Sequence, residues 1–256
     1  MRHYGFQVEN EIFWNGIFDG WEKVSLQLWS ELCQRSQTIM DIGSNTGVYA
    51  LLAKTIQPDA NIFAFEPVER VFKKLLYNNE INDYDITCEQ TAVSNYDGAA
   101  IIYDKDTAHT YSVTVNKDLS INQDDSIPVK INTIRLDTYI EQKKISKIDL
   151  LKIDVEAHEV EVLKGFRRYI KEFEPTFIIE VLSDEVAEGI QNLIADINYV
   201  YFTIDEKSGI KRVSQLSKSD YYNFLICKPE MADSLEIVRR FEASYKNHDS
   251  VLSEYN

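Results

Sequence analysis

The sequence predicts an α/β fold with a doubly wound, mainly parallel sheet and a small β-rich insertion. Two observations favour it. Short apolar runs alternate with helical patterns from residue 22 to about residue 228, as is typical of parallel strands joined by crossover helices. Acidic residues and glycines follow several of these runs, and a doubly wound sheet binds its ligands at the strand ends. The elements are taken in chain order.

The first part of the chain alternates regularly between helices and strands. An amphipathic helix is predicted over 21–33, where Val24, Leu28 and Leu32 fall on one face. The other elements predicted before residue 95 are strands over 38–42, 61–67 and 85–93, a buried helix over 47–56, and an amphipathic helix over 68–81 with Val71, Leu75 and Leu76 inward.

Between residues 95 and 133 the pattern changes. "NYDG" (95–98) has turn chemistry, and "AAIIYD", "YSVTVN" and "IPVKIN" are β-like pieces with polar connections. We expect an antiparallel excursion or a mobile flap. Its residues Tyr103, His109 and Tyr111 would belong to a lid or an acceptor-recognition surface.

The last part of the chain returns to alternation. The elements predicted there are helices over 136–143, 159–170 and 184–195, strands over 148–154, 176–182, 199–204 and 222–228, and a loop containing Gly209. The predicted division of the chain is an N-terminal aromatic and helical cap (1–37), the main domain (38–228, insertion about 95–133) and a polar helical tail (229–256). The aromatic residues of the cap are expected to cover the core or to form the wall of an acceptor pocket: Tyr4, Phe6, Phe13, Trp14, Phe18, Trp21 and Trp29.

The composition excludes some partners. The formal net charge of −15 disfavours nucleic acid and anionic membrane surfaces, both of which require clustered Lys and Arg. Cys33, Cys88 and Cys227 are far apart and form no CxxC pair, so we expect free thiols in a reducing compartment. The N-terminus has no apolar core of signal-peptide length, and the cytoplasm is the expected location.

A bare turn follows the first strand in "TIMDIGSNTG" (38–47). Gly43 and Gly47 accept positive φ and let backbone approach a ligand, and Asn45 is among the better substitutes in the left-handed region. Glu66 ends the second strand about twenty residues later, a spacing at which a carboxylate accepts hydrogen bonds from ribose hydroxyls. The pattern predicts a nucleoside-containing cofactor, against the alternative of a plain glycine turn.

The charge of Asp41 bears on which cofactor this is. The spacing Gly43-x-Asn45-x-Gly47 differs from the GxGxxG that cradles a pyrophosphate. A carboxylate directed into the site would repel a pyrophosphate and attract a cation. These two features favour S-adenosylmethionine, which has an ammonium, a sulfonium and no phosphate, over NAD.

Four ordered motifs resemble the FkbM family of methyltransferases: "DIGSNTG", "FAFEPVERVFKKLLYNN", "TIRLDTYI" and "IDLLKIDVEAHEVEVLKGF". The resemblance covers roughly residues 20–182 and implies a seven-stranded, S-adenosylmethionine-dependent methyltransferase that modifies hydroxyl groups of sugars or related small metabolites. It implies a cofactor site formed by Asp41, Gly43, Ser44, Asn45, Gly47 and Glu66, with Thr91 and Ala92 near the adenine. The family usually has Gly at position 157 and a small residue at 158, so Ala157 and His158 are departures.

The stretch "KIDVEAHE" (152–159) is the second candidate site. Lys152 lies inside an apolar run, so we expect a nearby carboxylate to compensate its charge. Methyl transfer to oxygen is helped by a base within hydrogen-bond reach of the acceptor hydroxyl. Asp154 and Glu156 are the first candidates, His158 has the most suitable unperturbed pKa, and Glu180 is a fourth. Glu159 is instead expected to stabilise the start of a helix.

Three alternatives remain open. Asp154, Glu156, His158 and Glu180 have the chemistry to bind a divalent cation, although no diagnostic metal spacing is present and no metal ligand is assigned. The second is a non-catalytic cofactor-binding scaffold of the same fold, for which the departure at Ala157 and His158 leaves room. The third, less favoured, is an NAD-dependent oxidoreductase. The sequence identifies neither the acceptor nor the oligomeric state.

Overall fold

An eight-stranded sheet forms the centre of the molecule. The computed structural model describes residues 1, 2, 4, 7–20, 22–104 and 127–241. The helices wholly within these residues are α1 (Gln7–Asn15), α2 (Lys23–Cys33), α3 (Val48–Ile56), α4 (Glu69–Ile81), α5 (Leu136–Lys143), α6 (Glu159–Gly165), α7 (Ile170–Phe173), α8 (Asp184–Ile194) and α9 (Pro229–Ser234). The strands are β1 (Thr38–Ile42), β2 (Asn61–Phe65), β3 (Thr87–Glu89), β4 (Ala92–Val93), β5 (Gly98–Asp104), β6 (Ile127–Ile134), β7 (Leu150–Ile153), β8 (Thr176–Glu180), β9 (Val200–Asp205), β10 (Gly209–Val213) and β11 (Asn223–Cys227).

The strand order of the large sheet is β10-β9-β11-β8-β7-β1-β2-β3. The run from β8 to β3 pairs in parallel throughout, whereas β11 is antiparallel to both β8 and β9. The predicted fold class, a mainly parallel α/β sheet, is therefore confirmed. The parallel strands end at one edge of the sheet, which positions the candidate site.

The sheet has one strand more than the predicted seven. The prediction of a loop around Gly209 is wrong, because β10 begins at Gly209 and pairs antiparallel with β9. The side chain of Asp205 accepts hydrogen bonds from the backbone N–H groups of Lys207 and Ser208. This side-chain turn reverses the chain and lets β10 return beside β9.

Helices cover both faces of the sheet, as the doubly wound prediction requires. Ile39 packs in one core with α2 and α3, and the next residue, Met40, packs in a second core with α5, α6 and α8. Leu235, Ile237 and Val238, which follow α9, are buried in the first core. Among the residues described, no helix has the length and apolar character needed to cross a membrane.

The insertion contains a small sheet with the order β4-β6-β5. The prediction of a single strand over 85–93 is wrong, because the chain forms β3 in the large sheet and then β4 in the small one. Between them, Thr91 Oγ1 donates a hydrogen bond to the carbonyl of Asn132 and ties the chain to the small sheet. The predicted piece "YSVTVN", with His109 and Tyr111, lies outside the described residues.

Two helix predictions also differ from the structure. Leu76 is 41% exposed, while Val71 and Leu75 are buried as predicted, because one helix face includes Leu75 and excludes its immediate neighbour. The helix predicted over 159–170 is interrupted after Gly165. There the chain lies so close to the small sheet that a Cβ on Gly165 would be 2.0 Å from the carbonyl oxygen of Ser94.

The N-terminal aromatic residues do not share one role. Trp29 is fully buried and donates its indole N–H to the carbonyl of Tyr49 at 3.0 Å. Phe13 and Trp14 are 67% and 77% exposed. The expectation that these aromatic residues cover the core therefore holds for Trp29 and does not hold for Phe13 or Trp14. Tyr4 is half-buried and Phe18 is exposed, whereas Phe6 and Trp21 lie outside the described residues.

Candidate active site

The turn after β1 contains two glycines because neighbouring atoms leave no room for a side chain at either position. Gly43 has φ +84°, and a Cβ on it would lie 1.8 Å from the carbonyl oxygen of Asp154. Asn45 occupies the left-handed region at φ +50°, as its residue type suggests. Gly47 has φ +95°, and a Cβ there would lie 2.6 Å from the side chain of Leu75. Two of the three residues are thus needed for close packing as well as for turn geometry.

Glu66 follows the last residue of β2 and is held by this turn. Its carboxylate accepts hydrogen bonds from the backbone N–H of Asn45 at 3.1 Å and from that of Val68 at 2.9 Å. Glu66 is only 7% exposed. Because a carboxylate has about four acceptor positions, the two backbone bonds fix its orientation without saturating it, and it can accept hydrogen bonds from hydroxyl groups in the cavity beside it.

Asp41 is directed away from the cavity. It is 2% exposed, and its Oδ2 accepts a hydrogen bond from the backbone N–H of Ala50 in α3 at 3.1 Å. Burial raises the pKa of Asp41 to about 7, although Lys152 and the bond from Ala50 act in the opposite direction. The expectation that this carboxylate points into the site is therefore wrong. Along β1 the side chains alternate between faces, and Asp41 falls on the α3 face.

Ser44 and Gly47 lie on the side of the turn that faces away from the cavity. Ser44 is buried, and its hydroxyl donates to the carbonyl of Asp41 at 2.6 Å. The backbone N–H of Ser44 binds the carbonyl of Phe65 at 2.9 Å, which joins the turn to the end of β2. These residues fix the shape of the turn without reaching the cavity.

The small sheet and α4 supply an apolar wall. Val68, Val71, Ile102 and Ile131 are buried together and pack with Ala92. All five residues line the cavity beyond Glu66. The family resemblance placed Thr91 and Ala92 near the adenine, and the other four residues were not predicted to line the site. The alternation in "AAIIYD" and "IPVKIN" was the available signal for Ile102 and Ile131.

Lys152 and Asp154 form a charge pair at the end of β7. Lys152 Nζ is 3.0 Å from Asp154 Oδ2, and the lysine side chain is 1% exposed. Nζ also donates to Asn223 Oδ1 at 3.3 Å and lies 5.1 Å from the centre of the Tyr49 ring. Burial acts to lower the pKa of Lys152, but Asp154, Glu22 and Glu180 raise it above its usual value. The predicted compensation of this lysine by a carboxylate is confirmed.

Glu156 has an unusual backbone and no hydrogen bond to its carboxylate from the described residues. It has φ +56°, and Ala157, at the position where the family usually has Gly, has φ +70°. Burial raises the pKa of Glu156 to about 7, and the charge of Asp154 acts in the same direction. Two successive non-glycine residues in the left-handed region cost free energy. Such a conformation is common at functional sites.

His158 and Glu159 complete the turn into α6. His158 Nε2 lies 2.9 Å from the hydroxyl oxygen of Ser94, and burial lowers the pKa of its imidazole. Glu159 is fully buried, and its Oε1 accepts a hydrogen bond from the backbone N–H of Val155 at 3.2 Å. Burial raises the pKa of Glu159 to about 7. Glu159 therefore supports the start of α6, as expected.

A cavity of about 440 Å³ opens where β1, β2, β7 and β8 end. The predicted site residues in its wall are Gly43, Asn45, Glu66, Thr91, Ala92, Asp154, Glu156, His158 and Glu180. Asp41, Ser44 and Gly47 lie behind this wall. Within the described ranges, no group of three His, Cys, Asp or Glu side chains is arranged to hold a metal ion.

The cavity also contains residues that the sequence pattern did not reveal. Glu22, just before α2, accepts hydrogen bonds from the Tyr49 hydroxyl at 2.9 Å and from the Asn223 amide at 3.1 Å. Glu206 lines the same side and accepts from the backbone N–H and hydroxyl of Ser25. A polar residue in the apolar strand "YNFLICK", like Lys152 in its own strand, was the available signal for Asn223.

Residues 41–201 match the family model for the methyltransferase FkbM domain. The chain belongs to the FkbM methyltransferase family. The resemblance noted from four motifs is confirmed, and membership of this family indicates S-adenosylmethionine as the cofactor.

Curated relatives of this FkbM methyltransferase domain are distant. Hexuronic acid methyltransferase AglP of Haloferax volcanii is 28% identical over 144 residues, 56% of each chain. Methyltransferase 1 of Beauveria bassiana is 24% identical over 209 residues, 76% of this chain and 75% of its own. Methyltransferase sdnD of Sordaria araneosa is 28% identical over 153 residues. The chain thus spans little more than half the length of AglP, and 59% of sdnD.

Solved structures with similar folds are more distant still. The FkbM methyltransferase of Methylobacillus flagellatus is 16% identical with a TM-score of 0.46, covering 75% of this chain and 43% of that one. The O-methyltransferase of Bacillus cereus, solved in complex with SAH, is 13% identical with a TM-score of 0.46 over 79% of both chains. The family assignment does not depend on either likeness.

Proposed function

We propose that the chain is an S-adenosylmethionine-dependent methyltransferase that acts on a hydroxyl group of a sugar or a related small metabolite. One observation carries the proposal. A single cavity brings the Glu66 carboxylate and the Gly43–Asn45 turn together with the carboxylates of Asp154 and Glu156. A candidate ribose-binding acid and candidate bases therefore share one cavity at the strand ends, where this fold binds ligands.

The residues of one side fit the cofactor. Glu66 is oriented by two backbone N–H groups and, as a carboxylate, can accept further hydrogen bonds from the two ribose hydroxyls. Val68, Val71, Ile102 and Ile131 present an apolar wall suited to the face of an adenine ring. Asn45 turns its backbone at the edge of the same space. These residues would hold S-adenosylmethionine, with Thr91 and Ala92 beside the adenine.

The other side supplies the groups for proton transfer. When bound, the cofactor supplies a sulfonium methyl group, whose bond to sulfur breaks as a bond to the acceptor oxygen forms. We assign Glu156 as the base that accepts the hydroxyl proton, because its pKa of about 7 suits proton transfer near neutral pH. Asp154, held by Lys152, orients the hydroxyl in line with the methyl group. His158 is the weaker candidate, since its Nε2 is already occupied by Ser94.

Two other functions receive less support. A non-catalytic scaffold is consistent with the departure at Ala157 and His158, but both carboxylates of the candidate site are retained. The turn after β1 lacks the GxGxxG pattern that is typical of an NAD-dependent oxidoreductase. The electrostatic argument against NAD no longer includes Asp41, whose carboxylate binds the backbone of Ala50.

The acceptor class and the cellular setting are also proposals. The name of AglP, a hexuronic acid methyltransferase, supports a saccharide acceptor. The free thiols of Cys33, Cys88 and Cys227 are consistent with the cytoplasm. The divisions at residues 37 and 228, and the absence of nucleic-acid and membrane partners, stay predictions.

Calorimetric titration with S-adenosylhomocysteine, with NAD as the control, tests the cofactor. We expect binding in the micromolar range for S-adenosylhomocysteine alone. Transfer of radiolabelled methyl from S-adenosylmethionine to sugars then tests catalysis. Binding of S-adenosylhomocysteine without methyl transfer would favour the scaffold, and binding of NAD alone would favour the oxidoreductase. If neither ligand bound, the proposed function would be contradicted.

A further inference from the structure

The order of strands divides the cavity into two halves. Glu66 follows β2, on one side of β1, and lies among the residues proposed to hold the cofactor. Asp154 follows β7 and Glu180 ends β8, on the other side of β1. The second half, over β7, β8 and β11, is therefore the space left for the acceptor, and its chemistry bears on which acceptor fits.

The second half is acidic. The acids in its wall are Glu22, Asp154, Glu156, Glu180, Glu206 and Asp220. No Lys or Arg lines any part of the cavity, as far as the chain is described. An anionic acceptor would meet like charges here with no cation to bind it.

Some of these carboxylates have partners in the protein. Lys152 pairs with Asp154, and its ammonium also acts on the charges of Glu22 and Glu180. Glu206 accepts hydrogen bonds from the backbone N–H of Val24 and from Ser25 at the start of α2. Glu22 is bound by the neutral donors of Tyr49 and Asn223, which satisfy its oxygens without neutralising its charge.

The carboxyl groups of Glu156 and Glu180 receive no hydrogen bond from the part of the chain that the structure describes. Glu180 Oε2 is buried in the cavity wall and receives no hydrogen bond from the described residues. Burial raises the pKa of Glu180 to about 10, Asp154 and Glu156 act in the same direction, and Lys152 acts against them. A buried acceptor oxygen without a donor is costly. A ligand that donates charged hydrogen bonds would satisfy this oxygen and offset the surrounding negative charge.

We infer that the methyl acceptor is a hydroxyl compound that also carries a protonated amine, such as an amino sugar, and that the amine binds between Glu180 and Glu22. This inference rests on the proposed methyl transfer. The cofactor adds one net positive charge and Lys152 a second, against six acids in this half of the wall, and a ligand ammonium beside Glu180 would favour the ionised form of its carboxyl group. A protonated amine has no lone pair and cannot accept methyl, so the carboxylates that bind it also direct transfer to oxygen. An anionic hexuronic acid, the substrate type in the name of AglP, fits this half poorly.

Competition between matched sugars tests the inference. Glucosamine carries a protonated amine, N-acetylglucosamine is its neutral counterpart and glucuronic acid is an anion. Binding of each to the full chain, saturated with S-adenosylhomocysteine, is measured by ligand-observed NMR and calorimetry at millimolar concentration. We expect glucosamine to bind on the order of tenfold more tightly than N-acetylglucosamine, and glucuronic acid to bind most weakly.

Charge-removing variants locate the preference. Glu180→Gln is expected to abolish most of the advantage of glucosamine, and Glu22→Gln serves the same purpose should Glu180→Gln fail to fold. Glu188→Gln, on the exposed face of α8, is the matched control and leaves the preference unchanged. Equal binding of the three sugars, a preference for glucuronic acid, or binding of none of them would overturn the inference. Failure of S-adenosylhomocysteine to bind would instead overturn the proposed function, so the two failures are distinguishable.

Discussion

The backbone carbonyl of Asp154 occupies the space that a side chain on Gly43 would need. A Cβ at residue 43 would lie 1.8 Å from that oxygen. The turn after β1 and the strand end that carries the candidate acids are thus packed backbone to backbone. The side of the cavity that holds Glu66 and the side that holds Asp154 therefore meet at this contact.

Gly43→Ala is therefore expected to destabilise the protein severely, by roughly 3 kcal/mol or more. Gly16→Ala is the matched control, because Gly16 also has positive φ, but a Cβ placed there would meet no atom of the described residues within 4 Å. Gly16→Ala is therefore expected to lower the free energy of unfolding by only about 1 kcal/mol, the cost of placing alanine at positive φ. Urea unfolding of both variants measures the difference, and equal losses would show that the contact with Asp154 relaxes at little cost.

Glu66→Gln is expected to weaken the binding of S-adenosylhomocysteine by about 1–3 kcal/mol, because the ribose hydroxyls lose a charged acceptor. Glutamine keeps one acceptor oxygen, so it can retain the bond from only one of the two backbone N–H groups, those of Asn45 and Val68. Glu69→Gln is the control, since Glu69 is exposed and pairs with the equally exposed Lys73. Calorimetry gives both affinities, and an unchanged value for Glu66→Gln would remove Glu66 from the cofactor site.

The rate of methyl transfer is expected to depend on the protonation of Glu156. Its pKa is raised to about 7, so the carboxylate is protonated and inactive at lower pH. The logarithm of kcat should rise with pH and level off above about 7. In Glu156→Gln, kcat should fall by about 10²-fold or more and lose this dependence. A variant that keeps the profile would place the base elsewhere.

Asp154→Asn is expected to abolish most turnover while S-adenosylhomocysteine still binds. It also leaves the buried ammonium of Lys152 without its carboxylate partner, so the melting temperature should fall. Asp196→Asn, which breaks the exposed pair with Lys171, is the control and should change neither property measurably. An active Asp154→Asn variant would show that this carboxylate does not orient the acceptor.

Asp41 is expected to make stability depend on pH. Its folded pKa is raised to about 7 by burial, above an unfolded value of about 4. Its favourable contribution is therefore complete below pH 4 and is lost as the pH rises through 7. Asp41→Asn should flatten the decline in unfolding free energy between about pH 4 and 7, by comparison with wild type and with the exposed-site variant Asp59→Asn. An identical slope in all three proteins would mean that Asp41 does not titrate in this range.

The sequence predicted which acidic residues of the site lie together at the carboxyl ends of the parallel strands. Glu66 and Asp154 each follow an apolar run, and parallel strands end at the same edge, so their convergence was foreseeable. The direction of Asp41 was not, because a single residue at a strand end does not reveal which face it takes. Glu22 and Asn223 were missed because they meet through β11, whose antiparallel pairing beside β8 brings together residues 201 positions apart.

The register of the small sheet has a consequence for how such a protein can diversify. Asp104 at the end of β5 faces Ile127 at the start of β6, so the chain leaves and re-enters the hairpin at one point. Residues added or removed between these two positions would leave every pairing of the ladder in place. The number of residues between these two positions is thus geometrically independent of the apolar wall to which Ile102 and Ile131 belong. Related proteins can therefore differ in this segment without any change to the apolar wall beside the cavity.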